Sequence, residues 1–328
     1  MNRLQKGLIT AGATAGTLAL IVRALTIPIL PEDNYTFIAS PDQGTCEVVE
    51  DKQSLASVVG KLLGADNSKE ESNIDDRVVR IKGGTGYEIG PGYILTNDHI
   101  ARAYIEGLLK PPILVFSGNG SDPREGVIVE QSRAYDLALI AVSPRKLNGE
   151  VKLREHLPLN SSVTLRTINP TDSTYSRKSS RIDINAISEY NFPPTTADLQ
   201  GNTSAGIRYT TDIFTGAGMS GSTITDQNSS IVGVYSTGGA NLTRELGYVV
   251  PYRAVDPFKK TEELRGKYPD AEFFFSSTEP SSIIKFLQEH CNKPKDSIVR
   301  FPGNSKARHS YEKMGYGPAP KVLAMSGR

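Results

Sequence analysis

The sequence predicts an all-β protein of two six-stranded antiparallel β-barrels with short helices at both ends, and three observations carry that expectation. From Arg77 to Tyr252 the chain falls into twelve short β-branched or alternating runs: VVRI, GTGYEI, GYILTN, ILVF, GVIVE, DLALIAV, SVTLRTI, RIDINAI, GIRYTT, STIT, IVGVYS and GYVVP. Their spacing is that of strands, with helices nearly absent. Gly, Pro, Asn or Ser clusters separate most of the runs, as turns require. Twelve strands in so short a stretch exceed one small sandwich and fit two barrels, with residues 143–159 as the crossing segment.

Taken in order, the chain opens on Arg3 and Lys6 followed by the uncharged run GLITAGATAGTLALIV at 7–22. A positive flank before an apolar stretch is the pattern of an export signal. Arg23 interrupts, ALTIPIL continues, and no small-x-small cleavage site stands out. Kept as one helix, residues 7–30 would span about 36 Å at ~1.5 Å per residue, enough to cross a bilayer with Arg23 snorkelling. Signal and membrane anchor both stay open for 1–30, and either places the body outside the cytoplasm, secreted or anchored. Residues 31–76 read as an extension and linker: Leu55, Val58, Val59, Leu62 and Leu63 fall at helical spacing, and ADNSKEESNIDD follows, polar and acidic. The main domain is expected over 77–258. A helical segment covers 259–291, where SSIIKFLQEHC carries Ile283, Ile284, Phe286 and Leu287. From 292 to 328 eight basic residues face two acidic ones, the composition of a flexible basic tail.

Composition narrows function before any motif is read. The chain has 328 residues, 38% hydrophobic, enough for a packed core. With 37 Lys and Arg against 36 Asp and Glu, the net charge is +1, too small a field to grip a polyanion, so no nucleic acid partner is expected. Two cysteines, Cys46 and Cys291, are too few for a thiolate zinc site or a disulfide-dense scaffold. They form a bridge in an oxidising compartment, or stay two free thiols.

The chemistry concentrates in TGAGMSGSTIT, residues 215–225. Gly216, Gly218 and Gly221 match G-x-G-x-x-G, but the following sequence is strand-like where a dinucleotide site needs a helix. The nucleophile elbow G-x-S-x-G fails because Ser222 stands two beyond Ser220. What remains is a serine whose own N–H, with that of Gly218, can face an oxyanion. A serine hydroxyl needs a base, and the base needs an orienting group. Of the four histidines, His99, His156, His290 and His309, His99 alone lies on the β scaffold, at the end of GYILTNDHI. Asp136 opens DLALIAV, where a carboxylate needs a partner such as an imidazole N–H.

These segments, GTGYEIGPGYILTNDHI, AYDLALIAV, YTTDIFTGAGMSGS, IVGVYS and LGYVVP, resemble those that mark trypsin-like serine proteases of the chymotrypsin fold. The TN-x-H strand end and the TTD lead-in are most similar to the high-temperature-requirement (DegP-type) protease domain, and no PDZ-like pattern follows residue 255. The resemblance covers residues 77–255. It implies His99 as general base, Asp136 as orienting carboxylate, Ser220 as nucleophile, and the amides of Gly218 and Ser220 as oxyanion hole. It further implies a polypeptide substrate, no metal and no cofactor. The specificity pocket would be walled by Phe214, Thr215, Tyr235, Ser236, Thr237 and Gly238, and Phe214 where an acid would select Lys or Arg suggests a small or medium apolar side chain. Phe214 and Tyr235 are equally readable as core residues. Met219 before the serine, and Ser222 where the family has a second glycine, depart from the pattern. An inactive, membrane-tethered binding protein on the same fold is the alternative, and a processing protease acting on one precursor fits the same residues.

Overall fold

The computed structural model describes residues 34–40, 45–51, 75–110, 112–117, 123–147, 149–157, 162–168, 177–183, 188–191, 205–216, 218–242, 248–249 and 257–293. The apolar run at 7–30, the helix expected near 54–64 and the basic tail beyond Lys293 lie outside these residues. No helix among the described residues is long and apolar enough to cross a membrane.

The chain is mostly strand. β3 (Val78–Ile81), β4 (Gly84–Gly90), β5 (Tyr93–Thr96), β6 (Ile113–Ser117), β7 (Arg124–Ser132) and β8 (Leu137–Val142) form the expected six-stranded antiparallel barrel. It closes in the order β3-β4-β5-β8-β7-β6, with β6 pairing back onto β3. The uninterrupted apolar run of β8 follows from its position, because both faces are covered. Ala138, Ile140 and Val142 point into the barrel with Val79, Ile81 and Ile94. Leu137 and Leu139 point the other way, into a second core shared with Leu153, Ile168, Ile231 and Val234. Inside this shell Glu88 is fully buried. Arg124 and Arg145 each reach its carboxylate at 2.7 Å, so a charge that would be costly alone is paired twice.

The remaining strands make one eleven-stranded sheet. It runs from β11 (Arg177–Asp183) through β10 (Ser162–Ile168), β14 (Thr223–Thr225), β15 (Ile231–Asn241), β17 (Glu272–Thr278) and β13 (Ala205–Thr211) to β12 (Ser188–Asn191). Attached to it are β1 (Asn34–Ser40), β2 (Thr45–Asp51), β9 (Val151–Arg154) and β16 (Tyr248–Val249). Five of these strands were not among the runs read from the sequence. β1 and β2 are a hairpin whose first strand pairs with β9 of the crossing segment, from Asn34↔Arg154 to Phe37↔Val151. β17, with three consecutive phenylalanines, lies between β15 and β13, so the segment after residue 259 contributes a strand as well as helices. β12 is a four-residue strand on the edge of this sheet.

Three helices are described. α1 (Asp98–Ile105) buries Ile100, Ala101 and Tyr104 against the barrel. At eight residues it is too short for periodicity to reveal, which is why the sequence reads there as strand and turn. α2 (Pro257–Lys267) and α3 (Pro280–Cys291) match the helical segments expected near the C-terminal end. α3 packs Ile283, Ile284, Phe286 and Leu287 into the core between barrel and sheet. A disulfide joins Cys46 of β2 to Cys291 of α3.

Candidate active site

The register of the barrel accounts for the first half of the site. β5 and β8 run antiparallel with Thr96 opposite Ala138, so the residues just after β5 lie beside those just before β8. His99 and Asp136 occupy those places. The His99 Nδ1 lies 3.0 Å from each carboxylate oxygen of Asp136, and the His99 backbone N–H donates to Oδ1 at 3.1 Å. Asn97, the N-cap of α1, gives no side-chain cap; its Nδ2 donates to the Asp136 carbonyl at 3.0 Å. Asp136 itself has φ +50°, a left-handed conformation that Asp tolerates better than most residues.

With Nδ1–H held by the carboxylate, the neutral imidazole presents Nε2 as a bare acceptor. Burial works against the imidazolium, but the Asp136 charge and hydrogen bond outweigh it and raise His99 above its ordinary value. Burial likewise pushes the Asp136 carboxyl up, yet His99 and the hydrogen bonds it accepts carry the net shift below the usual carboxylate range. The imidazole remains 34% exposed while Asp136 is 13% exposed, so the imidazole faces the surface and its partner does not.

Ser220 comes from the other half of the molecule. Its loop is bracketed by Gly218 at φ +91° and Gly221 at φ +82°. A Cβ on Gly221 would stand 1.9 Å from the Thr85 carbonyl and 2.3 Å from the Thr96 hydroxyl, so only glycine fits. Thr85 of β4 donates from its N–H to the Ser220 carbonyl at 2.7 Å and from Oγ1 to the Gly218 carbonyl at 3.2 Å. The loop is thereby fastened to the barrel that carries His99. Met219 N–H donates to Gly216 and Gly221 N–H to Tyr235. The N–H groups of Gly218 and Ser220 are taken up by no acceptor among the described residues.

The two departures from the expected loop are both accommodated. Met219 is 2% exposed and packs with Leu165, Tyr209, Tyr235 and Phe275. The Ser222 hydroxyl donates to Thr167 at 2.7 Å.

Ser236 links the halves, and sequence reasoning placed it only on the pocket wall. β15 slips register against β17 between Tyr235 and Thr237, which pair with Ser277 and Ser276. The extra residue in this bulge is Ser236, and a bulge re-aims its side chain. Its hydroxyl donates to Asp136 Oδ2, while its carbonyl accepts the Ser220 hydroxyl at 3.0 Å. Ser220, Ser236, Asp136 and His99 form one connected chain of hydrogen bonds. Among the described residues the hydrogen bond of the Ser220 hydroxyl goes to Ser236 and not to the imidazole.

Of the other predicted wall residues, Phe214 is buried with Ala240, Leu242, Leu264 and Phe273, its N–H on the Thr261 hydroxyl. Tyr235 is buried in a core cluster with Met219 and Phe275. Thr215 donates to the Phe274 carbonyl at 3.0 Å. A Cβ on Gly238 would meet Thr215 Oγ1 at 2.1 Å and the Tyr235 hydroxyl at 2.5 Å, so these three lie together. Among the described residues no three His, Cys, Asp or Glu side chains are grouped to hold a metal ion.

The family model of the trypsin-like peptidase domain matches residues 84–234, a span that begins on β4 and takes in His99, Asp136 and Ser220. Residues 84–234 are thus similar to a trypsin-like peptidase domain. Solved structures similar to the chain include an inactive serine-to-alanine form of Rv3671c from M. tuberculosis H37Rv, at 18% identity and TM-score 0.44, covering 70% of this chain and 95% of that one. The HtrA-type protease AlgW with a decapeptide is 14% identical, with TM-score 0.41, over 63% of this chain and 52% of its own. The MamO protease domain from Magnetospirillum magneticum is 13% identical, with TM-score 0.41, over 65% and 96%. No curated protein sequence matches the chain. Ser236, which links Ser220 to Asp136, falls two residues beyond the matched span.

Proposed function

We propose that the protein is a serine endopeptidase hydrolysing peptide bonds. The observation that carries the reading is the chain of hydrogen bonds from Ser220 through Ser236 and Asp136 to His99, which gathers residues over 100 positions apart. In this reading Ser220 attacks the scissile carbonyl. His99 Nε2 takes its proton and returns it to the leaving amine, and Asp136 holds the Nδ1–H tautomer and offsets the imidazolium charge. The amides of Gly218 and Ser220 bind the developing oxyanion. To begin, the Ser220 hydroxyl turns from the Ser236 carbonyl to the imidazole. Thr215, Thr237 and Gly238 wall the side chain before the cut, with the core residues Phe214 and Tyr235 packed behind them, and the substrate backbone adds along Ser236 to Gly238.

The second reading, an inactive binding protein, is favoured by one observation: the hydroxyl bonded to Ser236 instead of to the base. Labelling with a fluorophosphonate separates the two. Covalent modification at Ser220, with casein hydrolysis falling by about 10⁶-fold in Ser220→Ala, is expected of the enzyme; folded protein that takes no label is the binder.

We further propose an extracytoplasmic location, secreted or anchored by residues 7–30. The Cys46–Cys291 bridge supports it, since such bonds persist in oxidising compartments. Thiol alkylation of intact cells before lysis checks it, and free Cys46 and Cys291 in the native protein would contradict it.

A further inference from the structure

Between Asn97 and His99 stands a carboxylate that the proposed mechanism does not use. Asp98 is the first residue of α1 and has no exposed surface. Neither of its carboxylate oxygens receives a hydrogen bond from any described group. Its closest cation is Arg102, one helical turn on, with Nε 3.5 Å from Oδ2. An acid that served only the positive end of the helix could do so from the surface, in water. This one is turned inward, where burial without hydrogen bonds is unfavourable.

The charged groups that face it come from two places. On α1 these are His99 and Arg102; on the turn joining β7 to β8, which packs against α1, they are Arg133 and Asp136. Arg133 also reaches Glu106 at 3.8 Å. Asp136 thus touches the imidazole, while Asp98, the residue before His99, acts on it through its charge, with Arg102 opposing.

We propose that Asp98 is a positioning residue for His99, a second carboxylate that joins Asp136 in favouring the imidazolium formed when Ser220 gives up its proton. For its catalytic meaning the proposal rests on the endopeptidase reading above. Burial pushes the Asp98 carboxyl up to about 6, with Arg102 opposing and Asp136 adding. Asp98 is therefore charged above that pH and acts to raise His99 there, in the same direction as Asp136 and against Arg102. Removing the charge lowers the basicity of His99, so neutral base persists to lower pH but accepts the serine proton less readily. A proton on Asp98 also disfavours one on His99, which spreads the imidazole titration over more than one step.

The test measures the imidazole directly, by NMR titration of His99 in the Ser220→Ala protein with and without Asp98→Asn. The expected result is a midpoint at lower pH in the Asn variant. In the protein with Ser220 intact, Asp98→Asn should move the acid limb of kcat/KM the same way and lower plateau kcat several-fold with KM little changed. An unmoved imidazole midpoint overturns the proposal and leaves Asp98 a helix-end acid. If the Asn variant does not fold, the titration of the otherwise unaltered protein decides: a two-step imidazole curve supports the coupling and a single-proton curve overturns it. A shifted imidazole in a protein that hydrolyses no peptide sinks the endopeptidase reading while leaving the Asp98–His99 coupling in place.

Discussion

In the closed barrel, His99 and Asp136 follow from one pairing, β5 on β8, and their contact is fixed by the strand register. In the eleven-stranded sheet, Ser220 and Ser236 sit on a glycine-bracketed loop and a bulge, held by bonds that reach across to the barrel. The first arrangement is rigid by topology and the second by a few local contacts. Substitutions in the barrel should therefore change the electrostatics of the site and spare its shape, whereas substitutions in the sheet should move atoms.

Asp136→Asn tests the first half of that contrast and carries the larger of its two expected effects. Asn keeps the volume but not the charge, and the wrong tautomer of His99 then faces Ser220; a loss of about 10⁴-fold in kcat is expected. The pH dependence follows with a definite sign. His99 works as a base when neutral, and although burial lowers it, Asp136 holds it above its ordinary 6.5. Wild-type activity should therefore rise with pH through a midpoint above 6.5, and the Asn variant's midpoint should lie lower. For stability, the raised imidazole contributes fully below 6.5 and loses that contribution as pH climbs through its folded value. The lowered Asp136 contributes above 3.8 and loses it as pH falls. The difference in melting temperature between wild type and Asp136→Asn should be greatest between those limits. A pH-independent difference would remove the charge pair from the account.

Gly221→Ala tests the second half. The added Cβ cannot share space with the Thr85 carbonyl, so the loop must shift and the Ser220 amide with it. Misplacing one oxyanion donor costs about 3–4 kcal/mol of transition-state stabilisation, on the order of 10²–10³-fold in kcat. Fluorophosphonate labelling should slow in parallel, while far-ultraviolet circular dichroism stays unchanged. Full activity in this variant would mean that the loop is more yielding than its contacts indicate.

Ser236→Ala is milder. It deletes one hydroxyl from Asp136 but keeps the carbonyl that receives Ser220. A hydrogen bond to a charged group contributes ~1.5–3 kcal/mol, so at least a tenfold fall in kcat is expected, with KM nearly constant. An equal rise in KM would point to a role in the substrate strand.

What the sequence disclosed follows the same division. The barrel strands were legible because each is a local pattern: VVRI and DLALIAV announce burial by composition alone. His99, Asp136 and Ser220 were legible because glycine, hydroxyl and imidazole occur in a distinctive order. β1, β9 and β17 were not, since their pairings join residues 34–37 to 151–154, or 272–277 to 235–241, and nothing local marks a distant partner. FFFSST sits between two helical stretches and takes its strand character from β13 and β15 on either side. Ser236 escaped for a related reason: a bulge is a property of two strands in register, invisible in either one. Asn97 escaped because the stretch after it reads as strand and turn, and the carbonyl of Asp136 that takes its amide lies 39 positions away.

The smallest effect on chemistry, and a clear one on stability, belongs to the Cys46–Cys291 bridge. It ties the β1–β2 hairpin to α3, and both pack on the core between barrel and sheet. A bond between residues 245 apart in sequence constrains the unfolded chain strongly; bridges of this kind typically contribute ~2–4 kcal/mol. Reduction, or Cys46→Ser with Cys291→Ser, should lower the melting temperature by several degrees, as such a loss does in domains above 150 residues. At temperatures well below melting, kcat should stay within about twofold, because the hairpin meets the site only through the shared core and additivity holds for distant positions. A large fall in kcat at full foldedness would show instead that the β15 bulge depends on tension delivered through α3 and β9, and the contrast between a topologically fixed barrel and a locally held sheet would have to be redrawn around that hairpin.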